Sequence, residues 1–291
     1  QFKNMNMNND AQIKEMVKEK YAAIAAQSQT QNATSCCGAT SSCCGDEVYN
    51  IMADDYTKLE GYNPEADLGL GCGLPTEFAK IKEGDTVIDL GSGAGNDAFI
   101  ARRITGENGK VLGIDFTEAM IAKARANAEK LHYNNVEFRL GDIDDMPETS
   151  NYADVIVSNC VLNLVPNKHK VISEIFRVLK PGGHFSISDI VLEGHLPAKW
   201  KEVAELYAGC VSGAIQKQVY LETIEAAGFK NVSLQKDKPI IIPDNILSNY
   251  LTDAEIAEYK SGGTKISSIT VYAEKPAKDD RNCCEPGSGC C

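Results

Sequence analysis

Positive charge is in short supply. The 291 residues carry 29 Lys and Arg against 41 Asp and Glu, a formal net charge of −12. That balance disfavours wrapping a nucleic-acid backbone, which needs clustered Lys and Arg. It also disfavours an anionic membrane surface. Long apolar runs are missing too, since none reaches the roughly 18 residues of a membrane-spanning helix. The opening stretch Gln1–Asp10 is polar and rich in Asn and Met, without the charged-then-apolar pattern of a secretory leader. Histidine is scarce at four residues, so general-base chemistry has few of its commonest agents. A Gly-Lys-Ser/Thr phosphate loop is absent, which excludes a P-loop nucleotide site.

Cysteine is abundant instead, at 11 residues. Eight of them form adjacent pairs in two matching blocks, Cys36-Cys37 with Cys43-Cys44 and Cys283-Cys284 with Cys290-Cys291. Cys72, Cys160 and Cys210 stand alone in the body of the chain. A secreted disulfide scaffold would be short and Cys-dense throughout. The pattern reads as thiols kept reduced for binding or redox work, which implies a cytoplasmic protein.

From Asp85 onward, apolar strands alternate with helical patterns. Strands are expected at 86–90, 110–115, 136–142, 153–160 and 184–190, and helices at 96–105, 117–131 and 167–179. Thr117 is the expected N-cap of the second helix, and Pro181-Gly182-Gly183 the stop of the third. Near-continuous apolar strands between helices predict an α/β fold with a parallel, Rossmann-like sheet covered on both faces. After Leu192 the alternation ends. Helices are expected at 197–215 and 219–227 and short strands at 232–234 and 267–273, a smaller C-terminal α+β region. An N-terminal helix is expected at 10–26, followed by the Cys-rich loop.

The first strand runs into Asp89-Leu-Gly91-Ser-Gly93-Ala-Gly95. Glycines there let backbone approach a ligand. A dinucleotide fingerprint would need its third glycine at position 96, which is Asn96. Asp89 aims a carboxylate at the ligand, a poor match for pyrophosphate and a good one for an ammonium. S-adenosylmethionine carries an ammonium and no phosphate. Asp115 ends the second strand, where an acid takes ribose hydroxyls. Met120 is placed to cover the adenine, Asp142 with Ile143 to meet its amino group, and Asn159 to stand beside the sulfonium. Polar groups at four successive strand ends carry this reading further than the glycines do.

The methyl acceptor is read from what stands at the strand ends. His132, His169, His184 and His195 all fall elsewhere, in helix, strand-start or loop positions. Cys160 follows Asn159 directly. Its thiolate is either a nucleophile or a holder of a soft acceptor, since thiolates select thiophilic elements. Cys72 lies in a Gly-rich turn and Cys210 among small neighbours that leave room beside the thiol. Small buried hydrophobes are the bland alternative for each. Zinc favours C-x(2–4)-C spacing, which the adjacent pairs do not supply. A trivalent metalloid takes three thiolates and keeps a lone pair, so it needs no base.

The chain resembles the arsenite methyltransferase family. The carrying residues are Leu68-Gly-Leu-Gly-Cys72-Gly-Leu-Pro75, Val87-Ile-Asp-Leu-Gly-Ser-Gly-Ala-Gly-Asn-Asp97, Ser158-Asn-Cys160-Val-Leu-Asn-Leu164 and Gly209-Cys210-Val-Ser-Gly213. The resemblance implies a class I S-adenosylmethionine-dependent methyltransferase fold. It implies As(III) held by Cys160 and Cys210 with Cys72 as third thiolate. It also implies that an upstream cysteine, best matched by Cys44 among the four candidates, pairs with Cys72 during turnover. Thioredoxin or glutathione would then reset the thiols. No tightly bound metal cofactor, nucleic acid or membrane partner is expected. The implied organisation is a helix and Cys-rich loop (1–46), a cofactor domain (47–192), an arsenic-site helix with a small C-terminal domain (193–275) and a Cys-rich tail (276–291). An organic acceptor such as a quinone, or a non-catalytic thiol-rich metalloid binder, is the alternative.

Overall fold

The computed structural model describes residues 10–26, 54–196, 213–242, 244–248 and 251–277. In chain order its elements are α1 (Asp10–Ala25), α2 (Pro75–Phe78), β1 (Thr86–Leu90), α3 (Asn96–Thr105), β2 (Lys110–Asp115), α4 (Glu118–Lys130), β3 (Val136–Leu140) and β4 (Ala153–Asn159). Then follow α5 (Lys168–Val178), β5 (Leu179–Glu193), α6 (Lys217–Ala226), β6 (Lys230–Ile240), α7 (Asp244–Leu247), α8 (Asp253–Ser261) and β7 (Lys265–Glu274). The expected helix at 197–215, with Cys210, falls almost wholly outside the described residues, as do Cys36, Cys37, Cys43, Cys44 and the four C-terminal cysteines.

Every residue of β1 and β2 after the first is buried, the mark of parallel strands covered on both sides. Neighbouring residues separate by parity, because successive strand side chains point to opposite faces. Ile88, Leu112 and Ile156 join one apolar cluster, capped by Val171 and Ile175 of α5 and Tyr220 and Ile224 of α6. Val87, Val111 and Val155 join another, capped by Phe99 of α3 and Ala124 of α4. Helix α5 shows the local logic. Asn167 caps it by accepting the Lys170 N–H, and Val171, Ile172, Ile175 and Val178 form its buried stripe.

The sheet has seven strands in the order β3-β2-β1-β4-β5-β7-β6. The first five are parallel. Strand β7 lies antiparallel on β5 from Lys265 opposite Glu193 to Glu274 opposite His184, and β6 pairs antiparallel with β7. Strands β6 and β7, both after residue 193, therefore add to the same sheet. Strand order reverses between β1 and β4, which opens a crevice at their carboxyl ends. A third apolar cluster lies beyond those ends. It packs Cys72 and Cys160 with Ile13 and Val17 of α1, Ile190 of β5 and Ile266 of β7.

Two local expectations are corrected, and a third, the Thr117 N-cap, holds in position but not in its side-chain bond. Helix α5 stops at Val178, and Pro181-Gly182-Gly183 lies inside β5, where the register with β4 jumps from Ala153–Leu179 to Val155–His184. That irregularity houses a proline, which has no N–H for the ladder. Thr117 stands at the N-cap of α4 but its side chain makes no cap bond; Asp115 accepts the Thr117 N–H instead, at 2.8 Å. Strand β3 ends at Leu140, so Asp142 sits past it, in an isolated bridge with Asp145. Among the described residues no helix is long and apolar enough to cross a membrane.

Candidate active site

The crevice holds a cavity lined by the ends of β1, β2 and β4, the glycine loop, the turn before α2, and Lys14 and Tyr21 from α1. Two glycines explain how the loop fits. At Gly91, with φ +66°, a Cβ would stand 2.4 Å from a Val161 methyl. Gly93, with φ +51°, has nothing within 4 Å of where its Cβ would be and lines the cavity. Both φ values favour glycine. Gly95 opens α3 and sits against the Phe99 and Phe138 rings, a packing position away from the cavity.

Acidic groups dominate the wall. Five aspartates line it, Asp67, Asp89, Asp97, Asp115 and Asp142, against one lysine, Lys14. Burial first, then the charges of Asp97 and Asp115, push the Asp89 carboxyl well above its ordinary range. Burial likewise lifts Asp97 to about 6, against hydrogen bonds from Asn159 and Tyr56 that favour its charged form. Burial raises Asp115 as well. Its two oxygens accept the Gly93 N–H at 3.0 Å and the Thr117 N–H at 2.8 Å, which leaves carboxylate lone pairs for a ligand. Asp89 Oδ2, Ser92 Oγ and Asn96 Oδ1 are buried around the cavity without a hydrogen-bond partner. Orphaned acceptors cost free energy unless a ligand satisfies them. A cation with hydroxyls answers this wall, and a pyrophosphate would be repelled by it. The residues present therefore fit S-adenosylmethionine.

Asp142 and Ile143 line the cavity, and Asp142 is already paired with Lys14 Nζ at 2.6 Å. Met120 does not line it. That side chain is fully buried in the cluster around Phe99 and Ala124, and Phe116 faces the cavity where Met120 was expected. Of the described histidines none lines the cavity; His184 Nε2 lies 2.6 Å from the Ala79 carbonyl. Among the described residues no group of three or more His, Cys, Asp or Glu could hold a metal ion.

Asn159, the last residue of β4, ties the two halves of the site together. Its Oδ1 accepts the N–H groups of Cys72 at 3.0 Å and Gly73 at 3.3 Å. Its Nδ2 donates to the Gly73 carbonyl at 2.8 Å and to Asp97 Oδ2 at 3.1 Å, and also contacts the Tyr56 hydroxyl. The Tyr56 O–H stands 2.9 Å from both Asp97 Oδ2 and the Gly73 carbonyl. Cys160 lines the cavity in a left-handed conformation, φ +62°. Few non-glycine residues enter that region, and those that do are over-determined by their surroundings. Here the Cys160 N–H donates to the Ser188 carbonyl at 2.8 Å. Cys72, fully buried, lies in the same apolar cluster.

The structure thus brings together Cys72, Cys160, Asp89, Gly91, Gly93, Asp115, Asp142, Ile143 and Asn159. Cys44 and Cys210 lie outside the described residues. Sequence reading assigned no role to Tyr56, Asp97, Lys14 or Phe116. Asp97 carried a signal, directly after the glycine loop, but an acid in the first turn of a helix is ordinarily a solvated cap. Only its burial marks it.

A family model described as "Methyltransferase domain" matches residues 81–228. An arsenite methyltransferase of Halobacterium salinarum is 38% identical over 284 residues, covering 92% of this chain and 68% of that protein. Another, of Aquipseudomonas alcaligenes, is 34% identical over 248 residues, covering 82% and 68%. Among solved structures, an arsenic(III) S-adenosylmethionine methyltransferase from Chlamydomonas reinhardtii superposes with a TM-score of 0.60 at 30% identity, covering 79% of this chain and 74% of that one.

Proposed function

The chain belongs to the arsenite methyltransferase family, and from that premise we propose that it methylates trivalent arsenic held on its own thiols. S-adenosylmethionine is the cofactor. The observation that carries the proposal is the position of Cys160. It is strained into the cavity wall next to Asn159, with Cys72 packed in the same cluster.

When bound, S-adenosylmethionine supplies an electrophilic methyl group on a sulfonium. Asp89 and Asp97 receive its ammonium, Asp115 its ribose, and Asp142 with Ile143 its adenine. Cys160, Cys72 and Cys210 hold As(III) as three thiolates, soft ligands for a soft centre. Arsenic so held keeps its lone pair, so no side chain has to remove a proton from the acceptor. Gain of a methyl through that lone pair takes As(III) formally to As(V). Closing a disulfide between Cys72 and Cys44 returns two electrons and restores As(III). Thioredoxin or glutathione, as the dithiol or thiol reductant, reopens the disulfide. This chemistry needs reduced thiols, which supports a cytoplasmic location, and its effect is detoxification of arsenite.

The test measures S-adenosylhomocysteine formed by the whole chain under excess thiol. Arsenite and methylarsenite are expected to drive its formation. Turnover with a demethylated quinol and none with either arsenical would replace this reading by the organic-acceptor one.

A further inference from the structure

We propose that Ser268, on the C-terminal strand β7, is a positioning residue for arsenic capture, holding the Cys72 turn in place beside Cys160. The proposal rests on the reading of Cys72 as an arsenic thiolate. The Ser268 hydroxyl, itself buried, donates to the Cys72 carbonyl. Across the sheet Ser268 stands opposite Ile190, and Ile190 belongs to the apolar cluster that contains both Cys72 and Cys160.

Two further hydroxyls extend the seat. Thr270 lies two residues along β7, on the same face, and its hydroxyl is 2.8 Å from that of Ser188 on β5. The turn presses directly on this patch, since a Cβ at Gly73 would come within 2.5 Å of Ser188 Oγ. On its other side, a Cβ at Gly71 would come within 2.7 Å of Asn159 Nδ2. The Cys72 peptide is therefore gripped at both ends. Its N–H is held by Asn159 from β4 and its carbonyl by Ser268 from β7. A backbone fixed in this way presents its thiol before arsenic arrives, so little ordering remains to be done on binding. The antiparallel extension of the sheet thereby becomes part of the arsenic site.

Only arsenic that needs a third thiolate depends on this grip. Arsenite needs three thiolates, whereas methylarsenite already carries one carbon ligand and needs two. Wild type and Ser268→Ala are compared on both substrates under excess thiol. The variant is expected to lose about five- to tenfold in kcat/KM on arsenite, the scale of one hydrogen bond, with methylarsenite changed by less than about twofold. Equal loss on both substrates, or no loss on arsenite, overturns the proposal. A wild type inert towards both arsenicals overturns the parent reading instead. Where Ser268→Ala does not accumulate as folded protein, amide hydrogen exchange of the intact wild type decides. The Cys72 and Gly73 amides are expected to be protected without any arsenical. Protection that appears only after arsenite is added overturns a preset turn.

Discussion

At the scale of single residues, the site contrasts two cysteines. Cys160 lines the cavity, and Cys72 packs behind it. Cys160→Ser is expected to abolish methylation of arsenite and methylarsenite alike, because a hydroxyl is a hard, weak ligand for arsenic. Cys72→Ser is expected to fail on arsenite and still turn over methylarsenite. Rates on both substrates under excess thiol check the pair. Normal activity of Cys160→Ser would remove arsenic from this site altogether. Asp97 supports a second prediction. Its carboxyl titrates at about 6, so the negative form that attracts an ammonium is lost as pH falls through that value. Affinity for S-adenosylmethionine is expected to weaken on acidification from pH 7.5 to 5. In Asp97→Asn it should be weaker by roughly tenfold at pH 7.5, the loss of a charged hydrogen bond. The variant's dependence on pH should also flatten. Titration calorimetry across that range measures both, and an unchanged slope in the variant would assign the dependence to another group.

Elements were legible wherever burial was two-sided. Strands β1 and β2 match their expected limits because every interior position except Asp89 is apolar or small. Strand β6 was legible only at 232–234, since Lys230–Ile240 is an edge strand with largely polar, mostly exposed side chains. Lysine on such an edge guards against pairing with other chains, and it also hides the strand from a hydrophobic pattern. The cavity wall was largely legible because four of its polar groups sit at or just beyond strand ends, positions the alternation itself defines. The bracket was not. Cys72 and Asn159 lie 87 residues apart in sequence, and no local pattern records that an amide in β4 holds a turn before α2. That turn gives the prediction at this scale. Gly73→Ala must displace either the turn or Ser188, whose Oγ would stand 2.5 Å from the new methyl. Strand β5 is central and cannot yield, so the turn moves. The expected cost is about 1–3 kcal/mol of stability, typical of overpacking, together with a larger loss on arsenite than on methylarsenite. Thermal melts and the two-substrate assay measure it, and an unchanged melt would show that the turn yields freely.

For the whole molecule, buried acids set the pH response. Asp189 is buried in β5, with Oδ2 3.2 Å from the Tyr220 hydroxyl, and burial lifts its pKa to about 7. Asp97 and Asp89 are raised too. Carboxyls raised above their unfolded values bind more protons in the folded state, so their contribution favours folding at lower pH and is lost as pH rises through the folded value. Between pH 5 and 8 the cofactor-free protein is expected to melt at progressively lower temperature. The paired acids, Asp54 and Asp144 among them, are lowered by their lysines and act below this window. Scanning fluorimetry across the range checks this, and a melting temperature that rises towards pH 8 would contradict it. The hydrogen bond from Ser268 to the Cys72 carbonyl spans 196 residues of chain. During synthesis at about 5–20 residues per second, roughly 10–40 s separate the emergence of its two ends from the ribosome. Through that interval the nascent chain carries the cysteine without the strand that seats it. Arsenite present during that interval would meet the Cys72 thiol before the seat that positions it exists.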